Sequence, residues 1–274
     1  MPTNSDDLIH KHYQQQAEKD GESPLSTIGE RVVREKELAM IGDFLALLQR
    51  KSPNPSARVL DVGCGNGYTL GVLRERFPAL QLNGLEFTEE LLAIARNRKI
   101  AGCTIEPGDI RKTHYADNSF DAVYSERCLI NILDPEGQKT ALREIARILK
   151  PSGYYLMIEG FTEGLDLNNK ARREMGLEDI APAYHNLYFD AAKLFPEIDG
   201  ALRVVKAADI VPEAGPDSLP SNFLSSHFFV ARILQPLLTR GDWVRNSEFV
   251  KFFSYLPPMG DYGPIKAYIL QKTK

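Results

Sequence analysis

One stretch decides the fold of this chain: Arg58-Val59-Leu60-Asp61-Val62-Gly63-Cys64-Gly65-Asn66-Gly67. The short apolar run 59–62 predicts a buried parallel strand, because such strands are covered on both faces. The three alternating glycines then allow a tight turn and the close approach of a ligand to the backbone. A helix predicted over 68–77 follows at once, and its first N–H groups favour negative charge. This order predicts a doubly wound sheet that binds a nucleotide-like ligand at its strand ends.

The spacing of the glycines distinguishes between ligands. The dinucleotide fingerprint is G-x-G-x-x-G, whereas this chain has G-x-G-x-G after Asp61, and no Gly-Lys-Ser/Thr of a P-loop follows. The segment 59–67 resembles the first motif of class I S-adenosylmethionine-dependent methyltransferases. That resemblance implies S-adenosyl-L-methionine as cofactor and an α/β fold, a Rossmann-like seven-stranded, mostly parallel sheet with helices on both faces. The glycines alone leave a Rossmann-type dehydrogenase or an ordinary strand–turn as the alternative.

Later segments resemble the same family in the same order. Ser119-Phe120-Asp121 opens the predicted fourth strand, and a helix followed by Leu149-Lys150-Pro151-Ser152-Gly153 leads into the predicted fifth strand. The resemblance covers about residues 57–160. Adenine and cytosine amino methyltransferases carry an Asn/Asp-Pro-Pro-aromatic stretch after the fourth strand. This chain lacks it there, and Pro257-Pro258 comes too late to replace it.

Cofactor contacts are predicted at the glycine turn and at the ends of the following strands. Glu86 ends the second strand 19 positions after Gly67, a spacing at which an acid binds ribose hydroxyls. Its alternative role is a helix N-terminal acid beside Thr88. The resemblance implies that Asp109 accepts from the adenine amino group while Ile110 packs on the ring; a turn aspartate is the alternative. The predicted cofactor-binding residues are Tyr13, Asp61, Gly63, Cys64, Gly65, Gly67, Glu86, Phe87, Asp109, Ile110, Glu126 and Arg127.

The first thirty residues predict an N-terminal arm. Residues 1–30 are polar and contain few large apolar side chains. In related methyltransferases an N-terminal aromatic residue closes over the methionine end of the cofactor, and by that resemblance Tyr13 is the candidate here. A frayed, solvated terminus is the alternative.

The remaining chain divides into a core and an insertion. The methyltransferase core is predicted over 31–211 and 265–274, with a sixth strand at 201–210 and an antiparallel last strand at 266–271 that pairs with the sixth. Residues 212–264 predict a helical substrate lid of two helices, because a structureless loop of that length is unusual.

Three side chains are candidate bases for taking a proton from a hydroxyl acceptor: His185, His227 and Glu159. Histidine suits this role because its unperturbed pKa lies near neutrality. A structural histidine is the alternative for the first two, and a charge satisfied by a neighbouring loop is the alternative for Glu159. No group of His, Asp or Glu has metal-ligand spacing, so no metal is expected.

Composition limits the class of partner. The 274 residues are 43% hydrophobic and 26% charged, as in ordinary globular proteins, and the net charge of −4 lacks the basic surplus of nucleic-acid binders. The start of the chain has no basic-then-apolar leader, and no apolar run approaches the roughly 20 residues that span a bilayer. Three scattered cysteines suit a reducing compartment. A cytoplasmic protein without nucleic-acid or membrane partners is expected.

These features together predict a methyltransferase that transfers a methyl group from S-adenosylmethionine to a small-molecule substrate in biosynthesis. A hydroxyl of a sugar or natural product is the favoured acceptor. The alternative is a cofactor-binding module without transferase activity that acts as a regulatory or assembly partner, and a protein or RNA methyltransferase is a third interpretation. The sequence leaves a homodimer open.

Overall fold

A computed structural model describes residues 4–54, 56–215, 217–240 and 244–273. Its centre is a seven-stranded sheet. The strands are β1 Arg58–Val62, β2 Gln81–Glu86, β3 Cys103–Pro107, β4 Phe120–Glu126, β5 Leu149–Gly160, β6 Leu202–Val205 and β7 Ile265–Lys272. Their spatial order is β3-β2-β1-β4-β5-β7-β6, with β7 antiparallel to both of its neighbours and the other pairs parallel. The predicted fold class and the antiparallel last strand are confirmed.

Helices connect and cover the strands. They are α1 Asn4–Asp20, α2 Arg31–Lys51, α3 Tyr68–Arg76, α4 Glu89–Asn97, α5 Pro135–Ile148, α6 Thr162–Glu174, α7 Ala191–Ile198, α8 Ala207–Ile210, α9 Ser225–Phe229, α10 Gln235–Leu238 and α11 Glu248–Ser254. A 3-10 turn at Leu129–Asn131 follows β4, and a π-helical turn at Val230–Leu234 joins α9 to α10. Within the ranges given above, none of these helices combines the length and apolarity that crossing a membrane requires.

Both faces of the sheet are buried. Val59 packs in one apolar cluster with Ile41 of α2, whereas the next residue, Leu60, packs in a second cluster with Ile145 of α5. Successive side chains of a strand point to opposite faces, so a strand covered on both sides needs apolar residues at every position. This explains the apolar residues Val59, Leu60 and Val62 that predicted β1, among which Asp61 is the exception.

The sheet order places the ligand site. The chain runs from β1 outward to β2 and β3, and then returns to the other side of β1 to form β4. The connections after β1 and β4 therefore diverge, which opens a crevice at the carboxyl ends of these strands. Asp61 near the end of β1 lies opposite Tyr124 of β4 in this register.

Two features differ from the sequence prediction. The predicted sixth strand at 201–210 is too long, because β6 ends at Val205 and α8 begins at Ala207. The Asp209 carboxylate accepts from the Lys206 N–H at 2.7 Å and so favours the helix start over a continued strand. The N-terminal segment contains a 17-residue helix, α1, which its polar composition did not predict.

The insertion at 212–264 contains the two predicted helical stretches: one runs from α9 through the π turn to α10, and the other is α11. Leu224 and Phe228 anchor the first stretch, since both are buried in the main apolar cluster with Ile265 of β7. Trp243, an aromatic residue of the predicted lid, lies outside the described residues. The division of the chain into arm, core and lid stays a prediction.

Candidate functional site

A cleft lies at the carboxyl ends of β1, β2 and β4. All of the predicted cofactor-binding residues except Gly67 line it. The structure therefore brings together side chains that are as far apart in the chain as Tyr13 and Arg127. Their contacts with a cofactor stay predictions.

The glycine turn has a conformation that side chains oppose. Gly63 has a φ of +72°, and a Cβ there would lie 2.5 Å from the Cys128 sulfur. Gly67 also has a positive φ, of +74°, but a Cβ there would meet Ala95 of α4 at 3.1 Å. Gly63 thus shapes the cleft floor, whereas Gly67 permits the close packing of α3 on α4 and does not face the cleft.

Glu86 connects the glycine turn to the following helix. Its buried carboxylate accepts from the Gly65 N–H at 2.8 Å and from the Thr88 N–H at 2.8 Å. Burial raises the pKa of this carboxyl, while the backbone hydrogen bonds lower it. Thr88 directly precedes α4, so this contact is the one expected if Glu86 acts as a helix N-terminal acid. The same carboxylate still lines the cleft, so the two roles are compatible.

Asp61 is buried beside a network of charged side chains. Burial, and next the Glu126 charge, raise the pKa of its carboxyl well above the ordinary value. Arg34 of α2 forms an ion pair with Glu126 at 2.9 Å, and Arg127 lies 3.2 Å from Glu37 of the same helix. Two arginines and two glutamates thereby link α2 to the end of β4.

Arg34 and Glu37 were missed from the sequence. They lie at the same helical spacing as Ile41 and Phe44 and share the buried stripe of α2. Charged residues inside an otherwise apolar stripe are the signal that would have identified them. Burial raises the pKa of Glu37 to about 8, and the nearby Arg127 opposes this rise.

The opposite end of the cleft is closed by α1. Arg111 lies 2.6 Å from the Asp109 carboxylate and 3.0 Å from the carboxylate of Asp6, which belongs to α1. Asp109, the predicted adenine contact, is therefore held in place by a cation that also fixes the helix above it. Arg111 was not predicted, because its partner Asp6 is 105 residues away.

Tyr13 of α1 faces the cleft from above. Its hydroxyl donates to Asn131 Oδ1 at 2.7 Å, and burial raises the pKa of the phenol. The Asn131 amide in turn donates to the His185 carbonyl oxygen and to Asn186 Oδ1, each at 2.9 Å. These contacts favour an ordered cover over the solvated-terminus alternative.

A second, larger cavity of about 760 Å³ adjoins the first. It lies beside α6, α9 and the segment 176–188. Four residues line both spaces: Tyr13, Thr27, Glu126 and Arg127. The two cavities therefore meet at the end of β4, below α1.

His185 lines the second cavity. Its ring stacks on His12, with the ring centroids 3.9 Å apart, and its buried Nδ1 has no hydrogen-bond partner among the described residues. Burial, and then the charges of His12 and Arg127, lower the pKa of His185 to about 4. The imidazole is therefore neutral at pH 7, and it is a hydrogen-bond acceptor but a weak base.

His227 and Glu159 do not line either cavity. His227 is buried between Ser254, 2.7 Å from its Nδ1, and Glu30, 3.0 Å from its Nε2. This arrangement supports the structural alternative for the histidine, which holds α9 against α11.

Glu159 holds the loop after β4. Its buried carboxylate accepts from the Ser125 hydroxyl at 2.6 Å and from the N–H groups of Leu129 and Ile130 at 3.0 and 3.2 Å. Burial raises the pKa of this carboxyl to about 7, and the hydrogen bonds oppose the rise. The contacts support the alternative of a charge satisfied by a neighbouring loop. In the described ranges, no cluster of three or more His, Cys, Asp or Glu residues is arranged to hold a metal ion.

The sheet order and the glycine cleft define a Rossmann-like α/β protein with a nucleotide-type site. Comparison with known proteins identifies which class of Rossmann-like protein this is. Residues 59–153 match a protein-family model described as "Methyltransferase domain". Residues 59–153 therefore form a class I S-adenosylmethionine-dependent methyltransferase domain, whose cofactor is S-adenosylmethionine.

The proteins similar to this chain include three methyltransferases from different organisms. An uncharacterized methyltransferase of Schizosaccharomyces pombe is 35% identical over 35% of this chain and 37% of that protein. The malonyl-[acyl-carrier protein] O-methyltransferase of Erwinia pyrifoliae is 37% identical over 43% of this chain and 42% of that protein. The SAM-bound amino pentose methyltransferase CalS10 of Micromonospora echinaspora is 32% identical, with a TM-score of 0.40, over 46% of this chain and 51% of that chain. The chain spans roughly two-fifths of the length of the Schizosaccharomyces pombe and Erwinia pyrifoliae proteins.

Proposed function

We propose that the protein transfers the methyl group of S-adenosylmethionine to a small-molecule acceptor, with a hydroxyl of a sugar or natural product as the favoured group. The observation that carries this proposal is the junction of the two cavities. The cofactor cleft opens between Tyr13, Thr27, Glu126 and Arg127 into a second space large enough for a small organic molecule. A protein that only bound the cofactor would have no need of this adjoining cavity.

The residues of the first cleft suit the cofactor. When bound, S-adenosylmethionine supplies a methyl group that its sulfonium already activates. Glu86 uses two of the roughly four acceptor positions of a carboxylate on Gly65 and Thr88, so the others can accept from ribose hydroxyls. Asp109 is in place to accept from an adenine amino group, and Ile110 offers an apolar surface beside it. Hydrogen bonds to ionised acceptors are the stronger ones.

The residues at the junction suit methyl transfer. Transfer requires the acceptor atom to be aligned with the S–CH₃ bond and water to be excluded. α1 covers the junction through Tyr13, and the Glu159 carboxylate accepts hydrogen bonds from the N–H groups of Leu129 and Ile130 in the loop after β4. The unpartnered Nδ1 of His185 can accept from an acceptor hydroxyl and so orient it. Because its pKa is about 4, His185 would hold a proton taken from the hydroxyl only weakly. Its role is therefore to orient the hydroxyl.

The walls of the second cavity favour one of the two predicted acceptor types. Leu165, Ile180 and Phe228 contribute apolar surface to it. Another part of the lining is polar or charged and includes Glu30, Asn168 and Arg172. A natural product with both an apolar body and polar groups would use both parts of this lining, whereas a sugar would leave the apolar part without a partner.

The test is methyl transfer from S-adenosylmethionine with a labelled methyl group to a fractionated metabolite extract. We expect label in a small-molecule fraction that is extractable into organic solvent, and loss of that label when excess S-adenosylhomocysteine competes for the cleft. Calorimetry on the same preparation measures cofactor binding. A protein that binds the cofactor and yet labels no fraction would favour the alternative of a regulatory or assembly module.

A further inference from the structure

The second cavity combines an apolar wall with charged side chains, which are Glu30, Glu126, Arg127, Arg172, Glu178, Arg232 and Arg245. Its apolar lining includes Ile130, Leu165, Leu177, Ile180, Phe228 and Ile265. Arg172 of α6 is part of the same lining. A site with this composition selects ligands by shape and by a few placed polar contacts.

The partners of Arg172 differ from those of two other arginines in the cavity wall. Arg127 lies 3.2 Å from the Glu37 carboxylate, and Arg232 forms an ion pair with Glu30. Arg172 instead donates from Nε to the Glu178 carbonyl oxygen at 2.7 Å, and from Nη1 to the Arg232 carbonyl oxygen. Across the described parts of the chain, no carboxylate forms a salt bridge with it.

Electrostatics in the cavity favour a bound anion. Burial, and next the neighbouring Arg232 charge, lower the pKa of the Arg172 guanidinium, while the charges of Asp179 and Glu178 oppose this effect. The guanidinium remains protonated at pH 7. Glu30, which also lines the cavity, is already shared between Arg232 and His227. An anionic ligand group would therefore relieve the repulsion between the two arginines and neutralise the charge of Arg172.

Two buried acceptor atoms in the same wall have no donor. Asn168 is 1% exposed, and its amide donates to the Tyr262 carbonyl oxygen at 2.9 Å, but its Oδ1 has no partner in the described structure. The same is true of His185 Nδ1. Buried polar atoms without a partner cost stability, so each of these atoms is suited to accept from a ligand hydroxyl or N–H.

We propose that the acceptor is an amphipathic organic acid, with an apolar body along the cavity wall and one anionic group bound by Arg172. A hydroxyl or N–H group of the same molecule would donate to Asn168 or His185. This inference rests on the proposed function, because it takes the second cavity as the acceptor site.

The test measures the binding of two fluorescent probes with the same aromatic body, anilinonaphthalene sulfonate and uncharged phenylnaphthylamine. We expect the wild type to bind the sulfonate more tightly, and Arg172→Met to lower the sulfonate affinity about ten-fold, as loss of a charged contact implies, with little change for phenylnaphthylamine. Arg172→Lys should keep most of the preference. Lys170→Met is the matched control, since Lys170 is an exposed cation of the same helix that does not line the cavity, and it should alter neither affinity.

Three outcomes would overturn the inference: an equal loss for both probes in Arg172→Met, unchanged sulfonate binding in that variant, or no sulfonate preference in the wild type. Thermal melting identifies a variant that fails to fold. In that case the comparison of the two probes on the wild type decides the question alone. Probe binding requires neither cofactor nor methyl transfer. Labelled products without an Arg172-dependent preference would therefore refute this inference and leave the proposed function intact.

Discussion

Gly63→Ala is expected to weaken S-adenosylmethionine binding by about 100-fold or more. The new Cβ would lie 2.5 Å from the Cys128 sulfur and 2.8 Å from the Cys128 Cβ, on a residue whose φ is +72°. Left-handed backbone costs a non-glycine residue on the order of 1–2 kcal/mol, and the clash adds to that cost. Because the glycine turn forms the cleft floor, it would have to shift. Isothermal titration calorimetry measures the loss.

Gly71→Ala is the matched control. This glycine lies inside α3. Outside the backbone of that helix, the nearest atom to a Cβ added there would be Ile100 Cδ1, at 3.9 Å. Alanine should therefore stabilise the helix by about 0.5–1 kcal/mol and leave the cofactor affinity unchanged. If Gly63→Ala bound the cofactor as tightly as Gly71→Ala does, the glycine turn would not be part of the site.

Glu86→Ala should weaken cofactor binding by roughly 10- to 100-fold. The substitution removes the predicted ribose acceptor and leaves the N–H groups of Gly65 and Thr88 without their carboxylate. A hydrogen bond to a charged group is worth about 1.5–3 kcal/mol, which corresponds to this range of affinity. Calorimetric titration with S-adenosylhomocysteine gives the value directly, because that product cannot react.

The exposed Glu89, in the first turn of α4, provides the control for that variant. Glu89→Ala removes an acid from the same helix terminus without touching the cleft, so its cofactor affinity should match the wild type. An equal loss in both variants would mean that Glu86 acts through the start of α4 alone. Glu86 would then have the helix-terminus role and not the ribose role.

Much of the core could be predicted because its signals are local. The apolar run before Gly63 and the glycines after it specify β1, the turn and the start of α3 within ten residues. The acids at the ends of β2 and after β3 follow from spacing and family resemblance. All of these positions, apart from Gly67, do line the cleft. Gly67 does not line the cleft, and a Cβ there would meet Ala95 of α4, so the packing of α3 on α4 also explains this glycine.

The remaining features depend on partners far away in the chain. The helix α1 is polar by composition, and the long-range contacts of Asp6 with Arg111 and of Tyr13 with Asn131 hold it over the cleft. Pairings over more than a hundred residues have no sequence signature in a single chain. The second cavity is similar, because Arg172 and Asn168 come together with His185 in its lining only through the fold.

Glu159 illustrates the same limit for chemistry. An acid at the end of a strand beside the cleft fits a catalytic base by position alone. The structure gives its carboxylate the Ser125 hydroxyl and the N–H groups of the loop after β4 as partners. Its role is understood only once those donors are known, and they lie about thirty residues earlier in the chain.

The most direct measurement is a crystal structure of the protein with S-adenosylhomocysteine. The account predicts the purine beside Asp109 and Ile110, the ribose hydroxyls on the Glu86 carboxylate, and the thioether sulfur facing the opening between Tyr13 and Arg127. Electron density for the nucleoside at any other place, or a sulfur directed away from the second cavity, would contradict it.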